Sequence, residues 1–287
     1  MQRKIKQVIK YSFLATIALL ALILIIVFQG NSNLLRLFYF DVGQGDSILL
    51  RTPYNQDILI DGGPDSSVLS KLGRALPFYD HDIELLIITH PHPDHYQGVF
   101  DVLKRYKVDK ILISTDEGSN KGYRQLLEQI KSRAIPLQII NQATRVNLGD
   151  YLTFDILFPD HSVKETEKEN NMSVVGRLVF YNQTFLFTGD SEQEREGYLI
   201  SKKAKLNSDV LKVGHHGSST ATSEEWLKAA APKIAIISVS AHNTYGHPSL
   251  RVLRRLERQG IKIYRTDENG DIKITTDGET LKVKTAK

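Results

Sequence analysis

Thr89-His90-Pro91-His92-Pro93-Asp94-His95 is the stretch from which the fold can be read. Four side chains able to bind a metal fall within six residues, directly after Glu84-Leu85-Leu86-Ile87-Ile88. The apolar run reads as a buried strand, so the ligands sit at the strand's C-terminal edge. Period-two alternation puts His90 and His92 on one face. Pro91 and Pro93 stop the strand and leave Asp94 and His95 in the following turn. Imidazole nitrogens with carboxylate oxygens suit a borderline divalent ion, zinc first and manganese second. A polar loop with scattered histidines does not require this density of ligands.

Upstream, Ser12 to Phe28 is an uncharged, mostly apolar run preceded by Arg3, Lys4, Lys6 and Lys10. Its length is at the lower limit for a membrane-spanning helix. A secretory signal peptide has the same charged start, but Val27-Phe28-Gln29-Gly30-Asn31 offers no small-x-small cleavage site. The expectation is a basic tail at 1–10, an uncleaved single-pass anchor at 11–28 and one globular domain at 34–287. The positive flank places the tail in the cytoplasm and the domain outside it. Without those four cations the chain carries 33 basic and 33 acidic residues, so its net charge of +4 is no argument for nucleic-acid binding. There is no cysteine, which excludes thiolate zinc sites, disulfides and a lipoprotein anchor. No linker, repeat or low-complexity tract divides the chain.

The pattern predicts strands at 34–40, 47–51 and 57–60, then a helix from Asp94/His95 to Tyr106. A strand at 110–114, a helix at 123–133 and a strand at 137–140 complete an alternating half. A second strand-rich stretch begins at 151–158, with a hairpin at 174–181 and 184–188. Strands at 209–213, 233–240, 262–265 and 271–275 and helices at 224–231 and 248–259 follow. The polar segment between the halves holds His161 and Asn170-Asn171-Met172-Ser173. Asp61 ends its strand at the same edge as the histidines, placed to orient one of them. The glycine-rich turn Asp41–Asp46 reads equally as an anion cradle and as a tight turn. Asp190 is placed to bridge two ions, or to cap a helix beginning at Ser191. His215-His216 in a glycine loop divide into one metal ligand and one substrate contact, in either order. His247 is a candidate phosphate contact, His242 a surface residue and Trp226 core. Arg251, Arg254, Arg255 and Arg258 form a solvated face or a patch for a polyanion.

Phe40-Asp41-Val42-Gly43-Gln44-Gly45-Asp46-Ser47, Leu59-Ile60-Asp61-Gly62-Gly63, the histidine stretch, Thr188-Gly189-Asp190, Val210-Leu211-Lys212-Val213-Gly214-His215-His216-Gly217-Ser218 and Asn243-Thr244-Tyr245-Gly246-His247-Pro248 occur in order. Together they resemble the metallo-β-lactamase superfamily, and within it the hydrolase domain at the C-terminus of ComEC, the DNA-uptake channel of competent bacteria. The resemblance covers residues 34–276. It implies an α/β fold, an αββα four-layer sandwich. It implies two divalent ions held by His90, His92, Asp94, His95, Asp190 and His216, with Asp190 bridging. By the same resemblance His215 contacts substrate, and Glu192 faces substrate or activates water. The superfamily usually supplies a further metal-binding histidine before the aspartate. Here His161 and Asn171 are the candidates, which leaves the His90/His92 position short of a strong ligand.

The expected chemistry is metal-assisted hydrolysis, with Asp94, His215, His247 and Glu192 as catalytic residues. A phosphodiester, DNA first, is the expected substrate. Choline-phosphate or other cell-wall phosphodiesters come second. A lactamase-type amide hydrolase fits His215-His216 and the missing histidine poorly. A membrane-tethered, metal-containing binding module is the reading from another class. With a single hydrophobic segment, the chain is not expected to form a channel itself.

Overall fold

A computed structural model of the chain describes residues 2–30, 33–118, 120–163 and 167–287, with the backbone alone for Gln2 and residues 23–30. Lys164, Glu165 and Thr166 of the expected polar loop, and Asn31 of the cleavage-site reading, lie outside the described residues.

The N-terminal run is one helix, α1 (Gln2–Gly30). Within it Arg3–Leu22 has a mean hydropathy of 1.5 and is entirely exposed, so the helix is long and apolar enough to cross a membrane. The first half of the domain carries β1 (Leu35–Tyr39), β2 (Ile48–Arg51), β3 (Asp57–Ile60), α2 (Ser67–Ala75), β4 (Asp82–Ile83) and β5 (Leu85–Ile88). It continues through α3 (Pro93–Tyr96), α4 (Val99–Arg105), β6 (Lys107–Val108), β7 (Ile111–Ile113), α5 (Lys121–Ser132) and β8 (Leu137–Ile139). The second half carries β9 (Thr144–Gly149), β10 (Leu152–Phe158), β11 (Val175–Phe180), β12 (Gln183–Phe187), α6 (Gln193–Ser201) and β13 (Val210–Lys212). It ends with α7 (Glu224–Ala230), β14 (Ile234–Ile237), α8 (Leu250–Arg258), β15 (Lys262–Arg265), α9 (Thr266–Asn269), β16 (Ile272–Thr276) and β17 (Leu281–Thr285).

Two sheets form. One runs β17-β16-β1-β2-β3-β5-β7-β8 and the other β15-β14-β13-β12-β11-β10-β9. They pack face to face because each buries a row of alternate side chains: Leu35, Leu37 and Tyr39 of β1 meet Phe154, Leu178 and Phe185 of the opposite sheet. The outer face of the first sheet is covered by Val68, Leu72, Val99, Val102, Leu126 and Ile130 of its helices. The outer face of the second is covered by Leu199, Trp226, Leu227, Val252 and Leu256. These are the expected four layers, αββα.

β5 is buried along its whole length. Leu85 and Ile87 face the other sheet, while Leu86 and Ile88 face the helices. A strand covered on both sides reads as a continuous apolar run rather than an alternation, which is why the Glu84–Ile88 stretch was recognisable. The expected helix 94–106 is two helices. The chain breaks between α3 and α4, where Gly98 donates to the carbonyl of Gly63 at 2.9 Å. A bulge between Ile156 and Phe158 turns β10 over, so that Phe158 joins the outer core. α2, β9 and β17 were not expected.

Candidate metal centre at the sheet edge

The ligand-bearing loops follow the C-terminal ends of β5, β12 and β13. From the first, Thr89, His90 and His95 are buried. The rings of His90 and His92 lie 4.6 Å apart, and those of His90 and His95 4.2 Å apart. Asp61, at the end of β3, performs the orienting role expected of it. Its Oδ2 accepts from His95 Nδ1 at 2.8 Å and from the Thr89 hydroxyl at 2.7 Å, and its Oδ1 accepts from the Thr89 backbone N–H at 2.8 Å. That arrangement fixes the His95 tautomer and turns Nε2 inward.

After β12, the backbone N–H of Asp190 donates to Ser173 Oγ at 3.0 Å. Asp190 is not a helix cap, since the residue before α6 is Glu192. Its carboxylate faces the histidines. His95 Nε2 lies 3.3 Å from Asp190 Oδ2, and His216 Nε2 lies 3.4 Å from the same oxygen and 3.3 Å from Asp94 Oδ2. Tetrahedral bonds of about 2.0–2.1 Å give ligand–ligand edges of roughly 3.3–3.4 Å, so these spacings fit an ion between the four groups. His216 Nδ1 is 2.9 Å from the carbonyl of Ser238, to which it donates, leaving Nε2 for the ion.

Two donor groups share Asp190: Asp94, His95, Asp190 and His216 in one, and His90, His92 and Asp190 in the other. His90 Nε2, His95 Nε2, His216 Nε2 and Asp190 Oδ1 are all buried without a hydrogen-bond partner. Orphaned polar atoms at this density are costly unless something binds them. The donor set therefore fits two divalent cations.

Electrostatics agree. Burial would depress the His95 imidazolium, but Asp190, Asp61 and Asp94 outweigh it and hold its pKa well above the ordinary histidine value. His216 is likewise pushed up to about 10, burial being overcome by Asp190 and Asp94. Burial would raise Asp190, but His216 and His95 hold it well below the carboxylate range.

The Asp41–Asp46 turn supports the loop from below. Asp46 Oδ2 pairs with the fully buried Lys212 at 2.6 Å, and the backbone N–H of Asp46 reaches the carbonyl of Asp94 at 3.3 Å. Gly45 has φ +140°, and a Cβ there would lie 2.1 Å from the Asp94 carbonyl oxygen. Of the two readings of this turn, the structure takes the tight turn, with Asp46 and close packing beneath the metal loop. Lys212 had no assigned role in the sequence, because its partner Asp46 belongs to a loop of the other sheet.

Over the metal groups lies a cavity of about 170 Å³, lined by Gln44, His92, Asp94, Asp190, His215, His216, Tyr245 and His247. A larger one, about 810 Å³, has Asn33, Tyr54 and Tyr181 among its lining residues and holds no histidine. It opens at the opposite edge of the sheets, away from the ligands. His215 Nε2 is 4.0 Å from Asp190 Oδ2, at the margin of the cluster, and its ring lies 5.5 Å from that of His247. Burial lowers the pKa of His215, and burial with the neighbouring His215 and His216 brings His247 down to about 4. Both shifts favour the neutral ring.

Three expectations change. Glu192 does not face the cavity lining. It accepts from the Thr220 hydroxyl at 2.8 Å and lies 3.5 Å from His215 Nδ1, so it orients that ring. Asn171 is buried beneath the loop, where its Oδ1 accepts from the Glu192 N–H and its Nδ2 donates to Glu194, both at 3.0 Å. It is Asn170 that points to His215, at 3.4 Å. His161 is bound to Asp160 at 2.6 Å and packs on Phe158 and Tyr198, outside both donor groups. On α8, Arg255 donates to the Thr222 carbonyl at 3.0 Å and Arg258 pairs with Glu224 at 2.5 Å, while Arg251, Arg254 and Arg258 stay exposed as a solvated face.

Comparison with known proteins agrees with this geometry. A model of the metallo-β-lactamase superfamily matches residues 40–242. ComE operon protein 3 of Bacillus subtilis is 31% identical over 81% of this chain and 32% of its own length. Competence protein ComA of Neisseria gonorrhoeae is 30% identical over 82% of this chain and 31% of its own. Recombination protein 2 of Haemophilus influenzae is 29% identical over 86% and 29%. The chain thus spans about a third of the length of these relatives. Among solved structures, CmlA, a diiron β-hydroxylase from Streptomyces venezuelae, shares the fold with a TM-score of 0.53 at 14% identity, over 80% of this chain and 52% of that one. The four layers, the shared aspartate at the sheet edge and the match over 40–242 lead to one conclusion: the chain belongs to the metallo-β-lactamase superfamily.

Proposed function

We propose that this chain is a membrane-anchored, two-metal phosphodiesterase that cleaves nucleic acid, DNA first, outside the cytoplasm. The observation that carries the reading is the pair of imidazoles, His215 and His247, 5.5 Å apart and set over the cavity beside the shared Asp190. Two divalent ions, zinc first and manganese second, would act there as Lewis acids and lower the pKa of a water.

The protein's own part is positioning. His90, His92, Asp94, His95, Asp190 and His216 would hold the ions, with Asp190 common to both groups. Asp94 stays ionised: burial pushes its pKa up, but His95 and His216 pull it below the ordinary carboxylate range. It therefore serves as a ligand and not as a proton donor. His215, steadied by Glu192, and His247 would each donate an N–H to a phosphoryl oxygen, and a preorganised donor of that kind is worth about 10²–10³ in rate. The names of the relatives, competence and recombination proteins, favour DNA as the polymer.

The test is hydrolysis by the full chain in detergent, with zinc, manganese or a chelator, against DNA, RNA, a choline-phosphate ester and a β-lactam. Metal-dependent cleavage of DNA is the expected result. Cleavage of the choline-phosphate ester alone would replace the substrate, and a metal-loaded chain that hydrolyses none would make the domain a binding module.

A further inference from the structure

We propose that Glu169 is a ligand of the His90/His92 ion, taking the place of the histidine that this sequence lacks; the inference rests on the two-ion reading above. The two donor groups are unequal. Asp94, His95, Asp190 and His216 make four, whereas His90, His92 and Asp190 make three. Four is the usual number for zinc held by nitrogen and oxygen. Glu169 Oε2 lies 3.0 Å from His92 Nε2, at hydrogen-bond distance, and outside the 4.8 Å span of the His90, His92 and Asp190 group, so a rotation of its side chain would bring it to the ion. Both side chains are partly exposed, at 25% and 32%, so this position opens to solvent on one side.

The carboxylate is held there by its turn. Residues Glu169–Met172 form a single 3₁₀ turn. With about three residues per turn, successive side chains diverge by roughly 120°. Asn171 points down and fixes the turn to the start of α6 through Glu192 and Glu194, while its carbonyl accepts from Arg195 Nε at 3.0 Å. Ser173, just beyond, accepts from the Asp190 N–H. Asn170 then faces His215 and Glu169 faces His92. The turn is thus tied to the residue that both ions would share. A carboxylate in place of an imidazole makes this position richer in oxygen, which moves its preference toward manganese.

The test is metal content per full chain after equilibration with zinc or manganese and removal of free ion, read by elemental analysis. Wild type should hold two ions and Glu169→Gln one, since an amide can keep a hydrogen bond to His92 but ligates poorly. Glu169→His should return to two, with zinc preferred over manganese at the restored position. Two ions in Glu169→Gln, or none, would overturn the assignment and leave Glu169 an ion-pair partner of His92. A wild type with a single ion would overturn the two-ion reading itself, and this assignment with it.

Discussion

His215 and His216 both have left-handed backbone, with φ 48° and 52°, and their rings stand 6.2 Å apart at 66°. Of the two, only His216 falls in a donor group, and each left-handed residue costs on the order of 1–3 kcal/mol of strain. His216 is buried with Nε2 among Asp94 and Asp190, whereas His215 is partly exposed beside Glu192. His216→Ala should therefore lower metal content. His215→Ala should keep the metal and slow turnover by about 10²–10³. Elemental analysis beside kcat for both variants checks this, and the opposite pattern reverses the roles. The ligands themselves were legible in the sequence because His, Asp and Gly at strand ends have little packing use. The directions of Glu192, Asn170 and Asn171 were not, because within a turn one residue's difference in position decides which group a side chain meets.

At the scale of elements, the turn beneath the metal loop has no room for a side chain at Gly45. In Gly45→Ala a methyl group would meet the Asp94 carbonyl at 2.1 Å, in a backbone region that only glycine enters readily. We expect a loss of roughly 2–4 kcal/mol in the metal-free protein, strain and overpacking together, and weaker metal binding because Asp94 shifts. Urea unfolding and a metal titration measure the two effects; a variant as stable as wild type would show that the loop does not depend on this contact. Buried strands such as β5 were readable from their apolar runs. β9 was not, because its side chains alternate between exposed and half-buried and Leu148 alone is buried. α2 was missed for a related reason: it buries only Val68 and Leu72. Its helical stripe is too thin to stand out from the surrounding serines and glycine.

At the scale of the whole molecule, α1 leads into β1 at one edge of the sheets while the metal loops occupy the other. We propose that the domain lies outside the cytoplasm, because Arg3, Lys4, Lys6 and Lys10 precede the apolar run. A reporter fused after Lys287 should be active outside the cytoplasm, and full protection of the domain from protease added to spheroplasts would place it inside. The layers were legible from the order of strand and helix patterns; the pairing of β16 with β1, which closes the first sheet with the chain's last segment, was not, because nothing local encodes a partner so distant in sequence.

The central claim is that two ions at this edge drive phosphodiester cleavage, and the most direct measurement is DNA hydrolysis by the full chain as metal content is raised from none to two ions. We predict no cleavage in the stripped protein, activity that appears as the second ion binds, and recovery of a chelator-treated sample on adding zinc or manganese. Cleavage that persists after both ions are removed, or two bound ions with no hydrolysis of any phosphodiester, would contradict the account.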